Sequence, residues 1–538
     1  MANDNTIYVE KSDRPFSMNY GAGFWTEKLP VGTRVLYPNP PMEGLRYIRD
    51  AVHEAVENPH GCDPLSAQLT PGMKVTICID DISLPLPPMR TPDFRQQMLE
   101  YLLEKLGDAG VDDFHIVVAI GLHRRMTPAE IKRSVGPKVF KACYPDKLYN
   151  HDSEDYDNLV HLGHTEHDED VELNKRAVES DLVIYCNINL VKMDGGHKSL
   201  QTGISSYRSV KHHHNSHTLL HCDSLMDPPK SALYDSVARM GRIVNEHMNV
   251  FHIETSLNSD TFPHAFPFLQ KPERSWNAFD RAQHAINKTT LSALTLSVGR
   301  KIFMRMPAPY LVTGVNAGKT EPVHERTLAK IQEQQWVKVD GQADVVIAGV
   351  PYISPYNVNS SVMNPLLVNC LTAGYMFHMY EGVPLVRQGG VMILPCPLEY
   401  KFDKRHHPSY VDLFEEALPD CLDPADMEAK YEEKYASDPG YLDAYRNDFA
   451  YHGVHPLYMW YWAALGMKHM GQIIYVGAKS DEAAKRMGFE VAPNVAEAVE
   501  MAKNIVGKPN PDITCFHMPP IFVCDMTGTT GESVPTHG

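Results

Sequence analysis

Three stretches of the chain bring together residue types that can do chemistry. The first is AIGLHRRMTPAE, Ala119–Glu130. Thr127 and Glu130 have the spacing of a helix capping box, and Pro128 falls at the first helical position, where its missing N–H costs nothing. A helix is therefore expected from Pro128, directly after a strand ending near Gly121. His123 and Arg124 then sit in a loop at the carboxyl edge of a sheet, where open α/β folds bind their ligands. An imidazole there can act as a base near neutral pH, although the same pattern also describes a helix-entry loop whose His and Arg are merely exposed.

The second stretch, IDDISLPLPPMR (Ile79–Arg90), is a strand that ends in two aspartates and breaks on prolines. Neighbouring strand residues face opposite ways, so Asp80 and Asp81 are not expected to form an acid/base pair; taken alone, the segment reads as a solvated turn. The third runs from Asn187 to Asn215, NINLVKMDGGHKSLQTGISSYRSVKHHHN. Gly195 and Gly196 permit close approach of backbone to a ligand. Lys198 offers an anion contact or a nucleophilic amine. His212, His213 and His214 follow, with His217 and His221 close by. Imidazoles suit zinc, copper and nickel, but adjacent side chains cannot all face one ion, so one or two of the triplet would bind, or the run is polar surface. TGVNAGKT at Thr313–Thr320 imitates a phosphate loop, yet it has one residue too few between Gly314 and Gly318, and no helical run is expected after Thr320.

The elements that position these stretches follow from short runs rich in Val and Ile: Lys74–Asp81, Phe114–Gly121, Asp181–Ile188, Ala343–Val350, Gly390–Cys396 and Gln472–Gly477. Continuous rather than alternating apolarity suits parallel strands covered on both faces. Phe94–Leu106 carries Met98, Leu99, Leu102, Leu103 and Leu106 on one helical stripe, with Gly110 as a stop signal. The reading is an α/β protein: an N-terminal α/β domain over 1–273, a helical linker over 274–342, a C-terminal α/β domain over 343–525 and a frayed tail over 526–538. Residues 400–465, polar and aromatic-rich, are expected to cap the second domain.

Composition narrows the function classes. The 538 residues are 43% hydrophobic and 22% charged, as in ordinary globular proteins. Lys and Arg number 50 against 67 Asp and Glu, a formal charge of −17, which disfavours a broad nucleic-acid-binding face. No apolar run is long enough for a transmembrane helix, the start lacks a secretory pattern, and ten cysteines occur without a CxxC pair, so a cytoplasmic protein with no membrane partner is expected.

In order and spacing, these segments resemble the nickel-dependent lactate racemase family of 2-hydroxyacid racemases and epimerases. IGLHRRMTPAE is similar to the family's G-x-H-R-x-x-T-x-x-E loop, GGHKSLQTGI to its G-G-x-K-x-x-x-P-G-[IV], and DDIS at Asp80–Ser83 to the start of its D-x-[ST]-R-P. NHD at Asn150–Asp152, with HLGHT and LNKRAVESDLVI, resembles the stretch between. The resemblance implies two α/β domains with mostly parallel sheets, joined by helices, with the active site in the interdomain cleft. It also implies a nickel-pincer nucleotide, made by separate cofactor-synthesis proteins and attached to a lysine as a thioamide. By motif that lysine is Lys198, and the nickel ligand is His214, or His212 or His213 if a single-residue gap intervenes. His123 matches a catalytic histidine that takes the substrate hydroxyl proton, while Asp81 and Ser83 fall on the cofactor-binding motif.

The chain also departs from that pattern. The second catalytic histidine, about ten residues before the lysine, has no counterpart in Ile188–Lys192. Lys192, if burial lowers its pKa, and His197 are the candidates to replace it. Leu84 stands where the family has an arginine, Thr202 where it has a proline, and Ser361 near a family lysine. These departures point to a hydroxyacid other than lactate, racemised or epimerised at C2. A hydroxyacid oxidoreductase, or a cofactor-binding homologue without catalysis, are the alternatives. A zinc hydrolase is disfavoured because no H-E-x-x-H spacing occurs.

Overall fold

The computed structural model describes residues 5–262, 266–303, 305–360, 362–518 and 521–531. All six expected strands form, within a few residues of their expected ends, and they divide between two sheets. The first sheet has six strands. Its order is Val312–Gly318, Val250–Leu257, Leu182–Asn189, Lys74–Asp80, Asp113–Ala119 and Leu148–Asn150, parallel except for the first. Both Leu182–Asn189 and Val250–Leu257 are buried at every position, as strands covered on two faces must be. The second sheet has seven strands, with Ala343–Ala348 flanked by Ile513–Phe516 and Val386–Pro395. It too is parallel apart from its Thr6–Tyr8 edge.

Sheet membership does not follow the boundaries expected at 273 and 342. Thr6–Tyr8 and Arg34–Leu36 belong to the second sheet, and Phe16–Gly21 pairs with Val350–Pro351, so the chain starts in the C-terminal unit. Residues 274–342 hold helices Ala278–Ser292 and Leu296–Phe303, but then return to the first sheet through Val312–Gly318 and the helix Thr320–Gln335. A helix therefore does follow Thr320, contrary to the sequence expectation. No phosphate loop results, because Gly314–Gly318 is itself strand and the His60 backbone packs against Gly318. Of the expected tail, Met526 is fully buried; residues 532–538 lie outside the described ones.

Helix Phe94–Asp108 buries Met98, Leu99, Leu102 and Leu106 and is capped by Asp93, whose side chain accepts from Arg95 N. Residues 400–465 do more than cap. Their last helix, His455–His469, is buried on nearly all sides and packs against Ser216–Leu220 of the first unit and Cys370–Met376 of the second. One continuous apolar core therefore spans both units. Among the described residues no two cysteines form a disulfide, and no helix is long and apolar enough to cross a membrane.

Candidate active site

The site forms where strands of the first sheet end. After Asp113–Ala119 the chain turns at Gly121, whose φ of 49° and lack of Cβ let the loop lie against helix Gly196–Gly203; a Cβ would come within 2.0 Å of Thr202 O. Gly121 N donates to Gly203 O at 2.9 Å, and the next helix begins at Pro128 with the expected Thr127–Glu130 capping box.

This turn presents His123 to Asp81. The His123 Nδ1–H donates to Asp81 Oδ2 at 2.9 Å, and Asp81 also accepts from Ser83 N (2.8 Å) and Ser83 Oγ (2.9 Å). Burial alone would raise the Asp81 carboxyl, but the His123 imidazole and the Ser83 donors pull it below the ordinary carboxylate value. The carboxylate fixes the imidazole tautomer, leaving Nε2 with a lone pair. Asp81 is therefore a buried orienting group rather than part of a solvated turn, and Ser83 is the member of the pair that lines the cavity with His123. Asp80 points elsewhere, accepting from Ile188 N (2.7 Å) and Asn187 Nδ2 (3.0 Å); burial raises it to about 7. Arg124, which the sequence placed beside His123, is 4% exposed and forms a fork on Glu130 (2.6 and 3.0 Å) while donating to Val358 O. It pins the loop to the second unit.

Two lysines of the third stretch, Lys192 and Lys198, part company. Asp194 accepts from Leu190 N and Val191 N, closing a turn after strand Leu182–Asn189. Lys198 emerges on the cavity side, its Nζ 3.1 Å from Met193 O, and burial lowers its ammonium below the ordinary lysine value against the pull of Asp194 and Asp80. Lys192 does not join it. Its ammonium lies 3.9 Å over the Trp336 ring and 3.7 Å from Glu381, outside the cavity, so the expected second acid/base role is not supported by its placement. His197 is turned away as well, donating to Glu321 at 2.8 Å. The room left by Gly195 and Gly196 is filled by protein rather than ligand: a Cβ on Gly195 would meet Glu254 Oε1 at 2.6 Å, and one on Gly196 would meet the His324 ring.

The three consecutive histidines face three ways. His212 leaves the site toward Asp170. His213 is fully buried, its Nε2–H donating to Gln201 O at 3.2 Å, and burial lowers its pKa to about 4. The neutral His213 then has only Nδ1 as acceptor, 2.7 Å from His214 Nδ1, so His214 must donate from Nδ1 and keep its lone pair on Nε2. Burial, then His213 and Lys198, hold His214 neutral, well below an ordinary histidine. A carbonyl thus dictates, through one ring, which nitrogen of His214 is left for a ligand.

The cavity joining His123, Lys198 and His214 lies between the two units and is mostly apolar, with Leu84, Phe262, Met376 and Ile353 on its walls. The second unit adds residues that sequence reasoning missed. Tyr356 and Tyr375 share a 2.8 Å hydroxyl contact, and Trp462 lies 5.5 Å from the His214 ring. Tyr356 could have been found by the logic that found His123, since it follows the carboxyl end of strand Ala343–Ala348. Trp462 gave no such signal, being one aromatic in an apolar helix. Ser361 lies outside the described residues.

A cleft between two α/β units, lined by a carboxylate-held histidine, a desolvated lysine and a neutral histidine, has the character of a small-molecule site. Residues 20–226 match the family described as the lactate racemase N-terminal domain. The chain is 27% identical over 173 residues to the lactate racemase of Lactiplantibacillus plantarum, and 30% identical over 170 residues to that of Thermoanaerobacterium thermosaccharolyticum. Each match takes in 31% of this chain and 38% of the relative's length. The lactate racemase apoprotein structure from T. thermosaccharolyticum aligns over 95% of this chain and 99% of its own, with a TM-score of 0.61 at 19% identity. A Thermotoga maritima protein aligns over 90% of this chain and 99% of its own, with a TM-score of 0.51 at 12% identity. These two share the fold. Residues 20–226 therefore resemble the N-terminal domain of lactate racemases, and the chain as a whole shares the fold of the T. thermosaccharolyticum apoprotein.

Proposed function

We propose that this protein is a racemase or epimerase of a 2-hydroxyacid, working with a nickel-pincer nucleotide tethered at Lys198. The observation that carries the proposal is the convergence of His123, Lys198 and His214 on one cavity, with the tautomers of both histidines set from behind. The residues present fit the group: a desolvated amine suits acylation, and a neutral imidazole offering Nε2 suits nickel. When bound, the cofactor supplies reversible hydride acceptance, which no side chain in the cavity can perform.

His123 Nε2 accepts the C2 hydroxyl proton as that carbon reaches the keto level, and returns it when the carbon is reduced. Asp81 stabilises the imidazolium formed in between and keeps the ring from rotating. The apolar walls exclude water from a planar intermediate that would otherwise escape. With Leu84 in place of the family arginine, this wall offers no bidentate partner to a substrate carboxylate.

One observation favours a one-sided reaction, a hydroxyacid oxidoreductase. Beyond His123 and His214, the uncharged proton-bearing side chains on the wall include Tyr356 and Tyr375, whose hydroxyls burial keeps protonated, as donors rather than bases.

Peptide-mass analysis of protein from a host that makes the cofactor, with metal content read in parallel, tests the proposal. An adduct on Lys198 with nickel supports it; an unmodified Lys198 without nickel, from a host that loads a control relative, overturns it. Chiral analysis then separates racemisation, which leaves redox state unchanged, from accumulation of a keto product.

A further inference from the structure

A second cluster of metal-binding side chains lies outside the cavity, on the hairpin Leu159–His164 and Asp170–Asn174. Three positions apart, His161 and His164 would face opposite sides of a regular strand. The ladder slips between His161 and Gly163, however, so that His161 stands opposite Glu172 and His164 opposite Asp170. Gly163, at φ 145°, sits in this irregularity. The extra residue returns both imidazoles to one face. There they meet Asp170, whose Oδ1 lies 3.2 Å from His161 Nε2 and 3.3 Å from His164 Nδ1. All three ligand atoms fall within 4.8 Å of one another.

We propose that His161, His164 and Asp170 form a site for a borderline divalent transition-metal ion. Metal–ligand bonds of about 2.0–2.1 Å in a tetrahedron give ligand–ligand edges of about 3.3–3.4 Å, which the two contacts to Asp170 already match. Two imidazoles and one carboxylate select zinc, nickel or copper over magnesium or calcium. Three protein ligands leave the fourth position to water.

The surroundings hold this geometry. His212 Nε2 lies 3.3 Å from Asp170 Oδ2, so the carboxylate is oriented from its far side by a residue that is not one of the three ligands. The turn between the strands is tied down by Glu169, which accepts from Thr165 Oγ1 and Ser236 Oγ, both at 2.6 Å, and takes a two-point contact from Arg239 at 2.6 and 2.9 Å. Asp168, 3.7 Å from His164 Nδ1, adds negative charge at the rim. His212 lies in the last turn of helix Tyr207–His213, so an ion held here would fasten the hairpin to the segment that delivers His214.

The test is zinc titration of the chelator-treated full chain against a chromophoric indicator. The expected result is one zinc per chain at this site, with affinity falling at least tenfold in His164→Gln and in Asp170→Asn and unchanged in His214→Ala. Zinc should also raise the Tm of the parent chain but not of either hairpin variant. His164 is half exposed, so its variant has no reason to unfold. No stoichiometric zinc binding at tens of micromolar would overturn the proposal. So would binding that survives both hairpin variants, or that is lost with His214 or His217 instead.

Discussion

Asp81 Oδ2 and His123 Nδ1 stand 2.9 Å apart, joining the ends of two adjacent parallel strands, Lys74–Asp80 and Asp113–Ala119, through one hydrogen bond. Because Asp81 is 8% exposed and also holds Ser83, it has little freedom to offer His123 any other geometry. Asp81→Asn is expected to release the tautomer and lower kcat by about 10²–10⁴-fold, with KM little changed. Turnover of a 2-hydroxyacid substrate, with ¹⁵N NMR of the His123 ring as a check on the tautomer, reads both effects.

The hydrogen-bond chain from Gln201 O through His213 to His214 predicts a metal effect without a metal contact. His213→Ala should leave Lys198 modified but weaken nickel retention by about 10–100-fold. Nickel content after challenge with a competing chelator, set beside the adduct mass, checks it.

Lys192, held over Trp336 and beside Glu381, should be dispensable for proton transfer. Lys192→Met is expected to keep kcat within about twofold, where loss of a true acid/base would cost 10²-fold or more. Steady-state kinetics decide between the two.

Glu130 gives a pH signature of the loop. Burial opposes its ionisation, but the Arg124 fork outweighs that and holds the carboxyl down to about 2. A depressed carboxyl stabilises the fold fully above its unfolded value, near pH 4.5, and that stability is lost as the pH falls toward 2. Glu130→Gln should therefore cost about 3 kcal/mol near neutral pH and much less at pH 2–3. Denaturant unfolding at both pH values measures it.

Much of this arrangement is legible in the sequence because it depends on local chemistry. Thr127, Pro128 and Glu130 announce a helix start, and a Val/Ile run before them announces the strand, so the place of His123 follows. Strand Val250–Leu257 escaped because His252 and Glu254 break its apolar run, although both are fully buried. Whether a lysine faces the cavity or its back depends on one tight turn at Asp194, and no spacing rule separates Lys192 from Lys198. The order His212, His213, His214 already says that the three cannot share one ion; which of them turns to the cavity is set by the end of helix Tyr207–His213 and by no spacing rule. The exchange of strands between the two units was equally invisible, since Arg34–Leu36 is short and finds its partner far along the chain.

That exchange bears on how the protein is made. Arg34 bonds to Thr514, 480 positions later, and Arg34–Leu36 is paired beside Ile513–Phe516. At the usual 5–20 residues per second, the N-terminal strand spends roughly 25–100 s after synthesis with one edge bare, while the first sheet, complete by Gly318, is free to form. An unpaired strand edge is a template for pairing between chains. Until Ile513–Phe516 is made, that edge of Arg34–Leu36 stays open to another chain, so slowing synthesis ahead of residue 513 should lower the folded yield.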